Sequence, residues 1–197
     1  MLLLLVDAEL SCEWFELQKM YRIFSLLFFM CIGRVLDVEG LPEGVYWRDY
    51  IPREIPDDAF EAAPGLYLGQ ALHQGNLLVT TIYPHIGTAV GELGGQKNFK
   101  HNIKILCTMW PDKLCWEFVN FSEPIESQMK NVVKGGYEEG LASELYIGKK
   151  LIHREWKIGK VIEMMHPNKG LYLWTEEASV SRQYQFHILK YNCTSNK

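Results

Sequence analysis

Residues 66–82 read LYLGQALHQGNLLVTTI, and residues 145–161 read LYIGKKLIHREWKIGKV. Set one above the other at an offset of 79, with no gap, Leu66/Leu145, Tyr67/Tyr146, Gly69/Gly148 and Leu72/Leu151 are identities. Leu68/Ile147 and Ile82/Val161 exchange one apolar residue for another. The chain therefore reads as one unit written twice. Trp47 with Trp116 and Ile105-Leu106 with Ile188-Leu189 supply two further anchors, whose offsets of 69 and 83 need only short loop insertions. A repeat longer than about 50 residues packs as a duplication inside one compact domain more often than as an open solenoid.

Within the unit the pattern is that of strands. Leu66 to Leu72 and Leu77 to Tyr83 are apolar runs separated by His73-Gln74-Gly75-Asn76, which is hairpin chemistry because glycine accepts positive φ. Gly69, in mid-strand, marks a bulge or a place where another backbone or a ligand comes close. Val45-Tyr46-Trp47 predicts a first strand, Thr88 to Leu93 another ended by Gly94-Gly95, and Asn102 to Thr108 another with Ile103, Ile105 and Cys107 on one face. Leu114 to Asn120 opens the second copy, Leu145 to Val161 is its hairpin, and Leu171 to Trp174 and Gln185 to Tyr191 close it. Ile51 to Pro64 and Pro124 to Lys134 are the irregular lead-ins. Brief strands with glycine-rich turns at short spacing favour an all-β fold over alternating βαβ units.

The 197 residues are 48% apolar and 22% charged, enough to bury one good core. A formal charge of -4 leaves no basic surplus to neutralise phosphates, so nucleic acid is set aside as a partner. From Met20 the chain reads MYRIFSLLFFMCIG, with Lys19 and Arg22, an apolar run from Ile23 to Ile32 and small residues before Arg34. That is the layout of a secretory signal, and the run is too short to span a bilayer, which needs about 20 residues. The alternative is a buried strand or helix of a cytosolic protein. The expected organisation is an extension at 1–33 with the signal at 20–33, a linker at 34–45, a first repeat at 46–113, a second at 114–191 and a tail at 192–197. Asn120-Phe121-Ser122 and Asn192-Cys193-Thr194 are glycan acceptors if the chain is secreted. Past Gly33 the cysteines are Cys107, Cys115 and Cys193, an odd number. Cys107 and Cys115 flank Trp110-Pro111-Asp112-Lys113 and would bond if that stretch were a hairpin; two separate thiols is the other reading.

With both copies laid out, the sequence resembles the DM-nine (DM9) repeat family over about Tyr46 to Tyr191. The marks are the Trp47 and Trp116 openings, Ile55-Pro56-Asp57-Asp58-Ala59, the Leu-Tyr-x-Gly cores at 66–69 and 145–148, Leu93-Gly94-Gly95, and Gly135-Gly136-Tyr137 ahead of Ile158-Gly159-Lys160-Val161. The resemblance implies an antiparallel β-sandwich of two tandem repeats that are related by a pseudo-twofold axis and exchange a strand. It also implies a function, since family members include secreted lectins that recognise mannose on microbial surfaces. Others are insect proteins linked to infection responses and intracellular vesicles. In the lectins an acid after the Gly-Gly pair and a lysine in the later strand hold the sugar, and by position these fall on Glu138 and Lys160. A carboxylate accepts from two neighbouring hydroxyls while an ammonium donates to the remaining lone pairs, so an opposite-charge pair grips a diol from both sides. Tyr137 and Trp156 are candidate walls. The first copy carries Thr81 at the lysine position and only Glu61 as an acid, so it is not expected to hold sugar. In the second, a glutamate stands for the family's aspartate and Ile158 for its proline. The plainer alternative for Glu138 and Lys160 is a surface ion pair worth under about 1 kcal/mol.

No other chemistry competes. Six histidines are spread singly, which predicts no metal site. Gly91-Glu92-Leu93-Gly94-Gly95 lacks the lysine and the strand-to-helix setting of a phosphate loop and reads as a turn. There is no α/β pattern for a cofactor-binding methyltransferase and no nucleophile elbow, so neither a cofactor nor an enzyme is expected. The expected partners are glycans, with a homodimer as a means of binding several at once. A vesicle-associated, sugar-blind interaction module in the cytoplasm is the alternative.

Overall fold

Both hairpins form where the repeated stretch places them. The computed structural model describes residues 40–141, 143–163, 168–174 and 179–192. The readings made for 1–39, among them the signal at 20–33, and for the tail from 193 lie outside the described residues. In the first half β3 (Leu66–His73) pairs antiparallel with β4 (Asn76–Tyr83), from Tyr67↔Ile82 to His73↔Asn76. In the second, β10 (Glu144–Ile152) pairs with β11 (Glu155–Ile162), from Leu145↔Ile162 to Ile152↔Glu155. Each turn has two residues with positive φ, Gln74 (49°) and Gly75 (81°) in one, His153 (50°) and Arg154 (70°) in the other. Two successive positive φ values match the twist of the flanking strands, which is why tight hairpins use them.

Fourteen strands among the described residues join one large, mostly antiparallel hydrogen-bonded network. In the first half β1 (Val45–Asp49) pairs β7 (Ile103–Thr108), β7 pairs β3, and β4 pairs β5 (Thr88–Glu92), which pairs β6 (Gln96–Phe99). The second half uses the same scheme. There β8 (Leu114–Asn120) pairs β14 (Gln185–Tyr191), β14 pairs β10, and β11 pairs β12 (Gly170–Trp174), which pairs β13 (Val180–Gln183). The registers agree with the sequence anchors, for Trp47 faces Leu106 as Trp116 faces Leu189, and Gly69 faces Ile105 as Gly148 faces Ile188. A short lead-in strand flanks each hairpin, β2 (Glu61–Ala63) on β3 and β9 (Lys134–Tyr137) on β10. β9 also pairs with β4, through Leu77↔Tyr137, and so ties the halves together.

The hairpin strands are apolar on both faces because both faces are buried. Leu68 and Val79 of the first half meet Leu145, Ile147, Ile158 and Ile162 of the second in one shared cluster. The alternate residues Ala71, Leu78 and Ile82 pack with Ile103, Ile105 and Cys107 in a cluster of the first half. Val161, Leu171, Phe186 and Ile188 do the same in the second, under Phe121. Each fully buried Leu or Ile contributes about 1.5–3 kcal/mol, so the shared cluster couples the halves strongly. Polar side chains cross the same seam. Gln70 donates Nε2–H to the Gly135 carbonyl at 2.7 Å, and Lys149, its counterpart at the 79 offset, donates Nζ–H to the Ala62 carbonyl at 2.6 Å.

Three readings are settled. Pro111–Lys113 is a turn of 3-10 helix linking the halves, not a hairpin, and β7 and β8 pair with different strands. Cys107 is consequently a free, buried thiol, and Cys115 is disulfide-bonded to another cysteine. Gly69 causes no bulge, since the β3 register runs through it; a Cβ there would lie 2.5 Å from Thr80 Oγ1 and 2.9 Å from Ile82 Cγ1. Close side-chain packing, not a bend, requires the glycine. Finally, Glu92 closes β5 and is buried, as the strand predicted at Thr88 to Leu93 has it and not the turn read for 91–95.

Candidate functional site

Lys160 lies on β11 between Ile158 and Ile162, on the face turned to the shared core, and is 5% exposed. Burying an ammonium costs several kcal/mol unless carboxylates and hydrogen bonds replace its water. Two carboxylates do so here. Glu92, at the end of β5 in the first half, pairs with Lys160 Nζ at 2.7 Å through Oε2. Glu138, just past β9, pairs with the same nitrogen through Oε1. The side chains are 6% exposed for Lys160, 4% for Glu92 and 11% for Glu138, so this is no surface ion pair.

Local geometry explains the meeting. Gly136 lets β9 close on β4, because a Cβ at that position would stand 1.9 Å from the Leu77 carbonyl oxygen. Asn76 holds the next stretch down by accepting the Glu139 N–H on Oδ1 at 2.7 Å. Gly159 does the same for the β11–β12 contact, where a Cβ would fall 2.1 Å from the Tyr172 carbonyl oxygen. Glu92 is oriented by the Gly95 N–H, which donates to Oε1 at 3.3 Å. Tyr172, opposite Lys160 in the ladder, has its ring centre 5.9 Å from the ammonium. The site thus carries one cation and two anions. Such a cluster offers both donors and acceptors to hydroxyl groups, with Glu138 the member nearest solvent.

The residues carried over by resemblance are only partly brought together. Glu138 and Lys160 touch. Tyr137 stands beside Glu138, is 48% exposed, and pairs with Leu77 and Glu144. Trp156 lies elsewhere, four residues up β11, about 13 Å along a strand. Its ring centre is 4.7 Å from Lys149 Nζ and 6.0 Å from the His187 ring. Thr81, the first-half position equivalent to Lys160, is fully buried and donates to the Ile158 carbonyl at 3.4 Å. Glu61 accepts from the Gly65 N–H at 2.7 Å and only closes its own turn. Glu92 was missed by sequence reasoning. The available signal was a lone acid ending an apolar strand, which must find a cation if it is buried.

The ammonium of a second buried cation, Lys149, lies 4.3 Å from the Trp116 ring centre and 4.7 Å from that of Trp156. Burial pulls its pKa down to about 8, while the ring faces and the Ala62 carbonyl favour the charged form. Burial first, and then the Lys149 charge, also lower His187. Among the described residues no group of three or more His, Cys, Asp or Glu side chains is arranged to hold a metal ion, and no helix is long and apolar enough to cross a membrane.

The DM9 repeat family matches residues 61–181, more than half of the chain. No curated protein matches it.

Proposed function

The chain belongs to the DM9 repeat family, and from that premise we propose that it is a non-enzymatic carbohydrate-binding protein of the mannose-lectin kind, serving recognition of microbial surfaces. The observation that carries this reading is the Lys160 ammonium held between Glu92 and Glu138. An ammonium has three N–H donors and each carboxylate several acceptor positions, so a sugar diol can accept from Lys160 while donating to Glu138. Such contacts replace contacts to water, so affinity for one sugar is weak, and binding of several sugars by a dimer would raise it. Glu92 adds a role absent from the two-residue picture, fixing the ammonium so that Glu138 is left to meet the ligand.

The repeats at 46–113 and 114–191 are taken as related by a pseudo-twofold axis, packed as a sandwich with lead-in strands exchanged. The matching strand registers and the reciprocal bonds of Gln70 and Lys149 across the seam support this arrangement. Secretion is supported by the disulfide at Cys115, since such bonds persist in oxidising compartments.

A glycan array, followed by retention on a mannan column, tests the function. Glu138→Gln keeps the side chain's shape and leaves Lys160 paired with Glu92, so it should abolish retention with little change in melting temperature. Unchanged retention by Glu138→Gln would remove this site. A flat array at high protein density would remove the lectin function and leave the sugar-blind, vesicle-associated interaction module.

A further inference from the structure

The second half has a polar cleft. It measures about 380 Å³ and lies between β8, β14 and the segment before β9; its polar lining includes Glu117, Ser127, Lys130, Asn131, Lys190 and Asn192. Lys190 is 5% exposed and pairs with Glu117 at 2.6 Å. Leu189 belongs to the shared core, and neighbouring strand residues face opposite ways, so Lys190 lies on the other face from the Lys160 cluster.

The register identifies what occupies the same place in the first half. Val132 bridges Lys190 as Ala59 bridges Cys107. The Tyr191 N–H donates to the Asn131 carbonyl at 2.9 Å as the Thr108 N–H donates to the Asp58 carbonyl at 2.9 Å. Cys115 faces Lys190 as Tyr46 faces Cys107. Glu117 therefore answers to Arg48, Lys130 to Asp57, Asn131 to Asp58 and Lys190 to Cys107. In the first half Asp58 is engaged by the Tyr46 hydroxyl and by Arg48 at 3.4 Å, and that arrangement satisfies itself. Counted over these four positions, the first half carries one cation and two acids, and the second two cations and one acid. Duplication has inverted the local charge.

We propose that this cleft is a second ligand site, separate from the Lys160 cluster, for an anionic sugar residue. The anion is either a carboxylate, as in uronic and sialic acids, or a phosphate ester. The volume sits at the small end of small-molecule sites and suits one sugar ring. Lys130 and Lys190 supply the positive field, while Ser127, the amides of Asn131 and Asn192 and the half-exposed Glu117 carboxylate serve the ring hydroxyls. The absence of an acid at Asn131 is decisive, because an aspartate there, as at Asp58, would repel the ligand.

The test titrates the full chain with glucuronate, N-acetylneuraminate and glucose 6-phosphate, with neutral glucose as the control, following backbone amide shifts. Shifts confined to 115–117, 127–131 and 190–192 are expected with either the carboxylates or the phosphate ester, the preference naming the anion, and they weaken as salt is raised. Asn131→Asp and Lys130→Asp restore first-half residues at exposed positions and should each weaken binding by at least about tenfold. Both leave mannan retention as in the parent, and Glu138→Gln leaves acidic-sugar binding as in the parent, so the two sites fail or hold separately. Glucose binding as well as glucuronate, shifts mapping elsewhere, or both variants binding like the parent would overturn the proposal.

Discussion

Replacing Lys149 by glutamine separates two opposing effects at the seam between the halves. Lys149 is 9% exposed, and its ammonium donates to the Ala62 carbonyl at 2.6 Å and lies 4.3 and 4.7 Å from the centres of two tryptophan rings. Burial disfavours the charge, whereas the rings and carbonyl favour it. Burial alone places the group at about 8 in the folded chain, against an ordinary 10.5. Between those two values the unfolded chain holds a proton that the folded chain has released, so this group makes stability rise with pH across that window. Complete separation of the two values corresponds to at most about 3 kcal/mol, and the ring faces and the carbonyl, which hold the charge, leave about 2 kcal/mol. Glutamine has no proton to release, and the Gln70–Gly135 bond of 2.7 Å shows that an amide serves at the equivalent place. The parent should therefore gain about 2 kcal/mol over Lys149→Gln between pH 7 and pH 11, measured by urea unfolding with the disulfide intact. Lys149→Met, which strands the Ala62 carbonyl, should lie about 1–3 kcal/mol below Lys149→Gln throughout. Parallel parent and glutamine curves would show that the tryptophan faces cancel burial, and a parent that loses ground as pH rises that they outweigh it; either refutes this reasoning.

Four further outcomes are expected. Arg154→Gly, at φ 70° in a turn whose first-half counterpart is Gly75, should stabilise by about 0.5 kcal/mol and raise the melting temperature by about 1–2 °C in calorimetry. Gly136→Ala, whose new Cβ would meet the Leu77 carbonyl at 1.9 Å, should lower the melting temperature sharply and lose mannan retention together; normal values for both would sink the account of how Glu138 is placed. Lys160→Met should cost about 3–5 kcal/mol in urea unfolding, since it leaves two buried acids facing each other, and Glu92→Gln added to it should recover part of the loss. Cys107, fully buried with its thiol pushed up to about 12 chiefly by burial, should resist iodoacetamide at pH 8 in the folded chain and react in denaturant; rapid native labelling would contradict that burial.

The hairpins were legible because their information is local. Residues 66–82 carry the apolar runs and the Gln-Gly turn that suffice for β3 and β4, and the gapless copy at 145–161 repeats the pattern with His153-Arg154 in the turn. β6 and β13 escaped notice because QKNF and VSRQ are four-residue polar segments, β6 laid only against β5 and β13 at the end of its sheet order. Strands of that kind are set by a neighbour's backbone and carry no periodicity of their own. The hairpin weighed for Pro111 as one of two readings does not form, because that stretch links one half to the other.

The site divides along the same line. Glu138 and Lys160 could be named from position in a repeat, because their separation is fixed by one hairpin and its lead-in strand. Glu92 could not, since it belongs to the other half and reaches Lys160 only after β4 and β11 pack across the shared core. A lysine at position 160 in a repeat folded alone would have Glu138 as its sole acid and would keep part of its hydration. Bringing the first half over it removes that water and supplies the second carboxylate in the same step, so the buried cation is a property of the assembled pair. The alternative of a harmless surface ion pair fails for this reason: it counted one acid, where the fold provides two, one from each half of the chain.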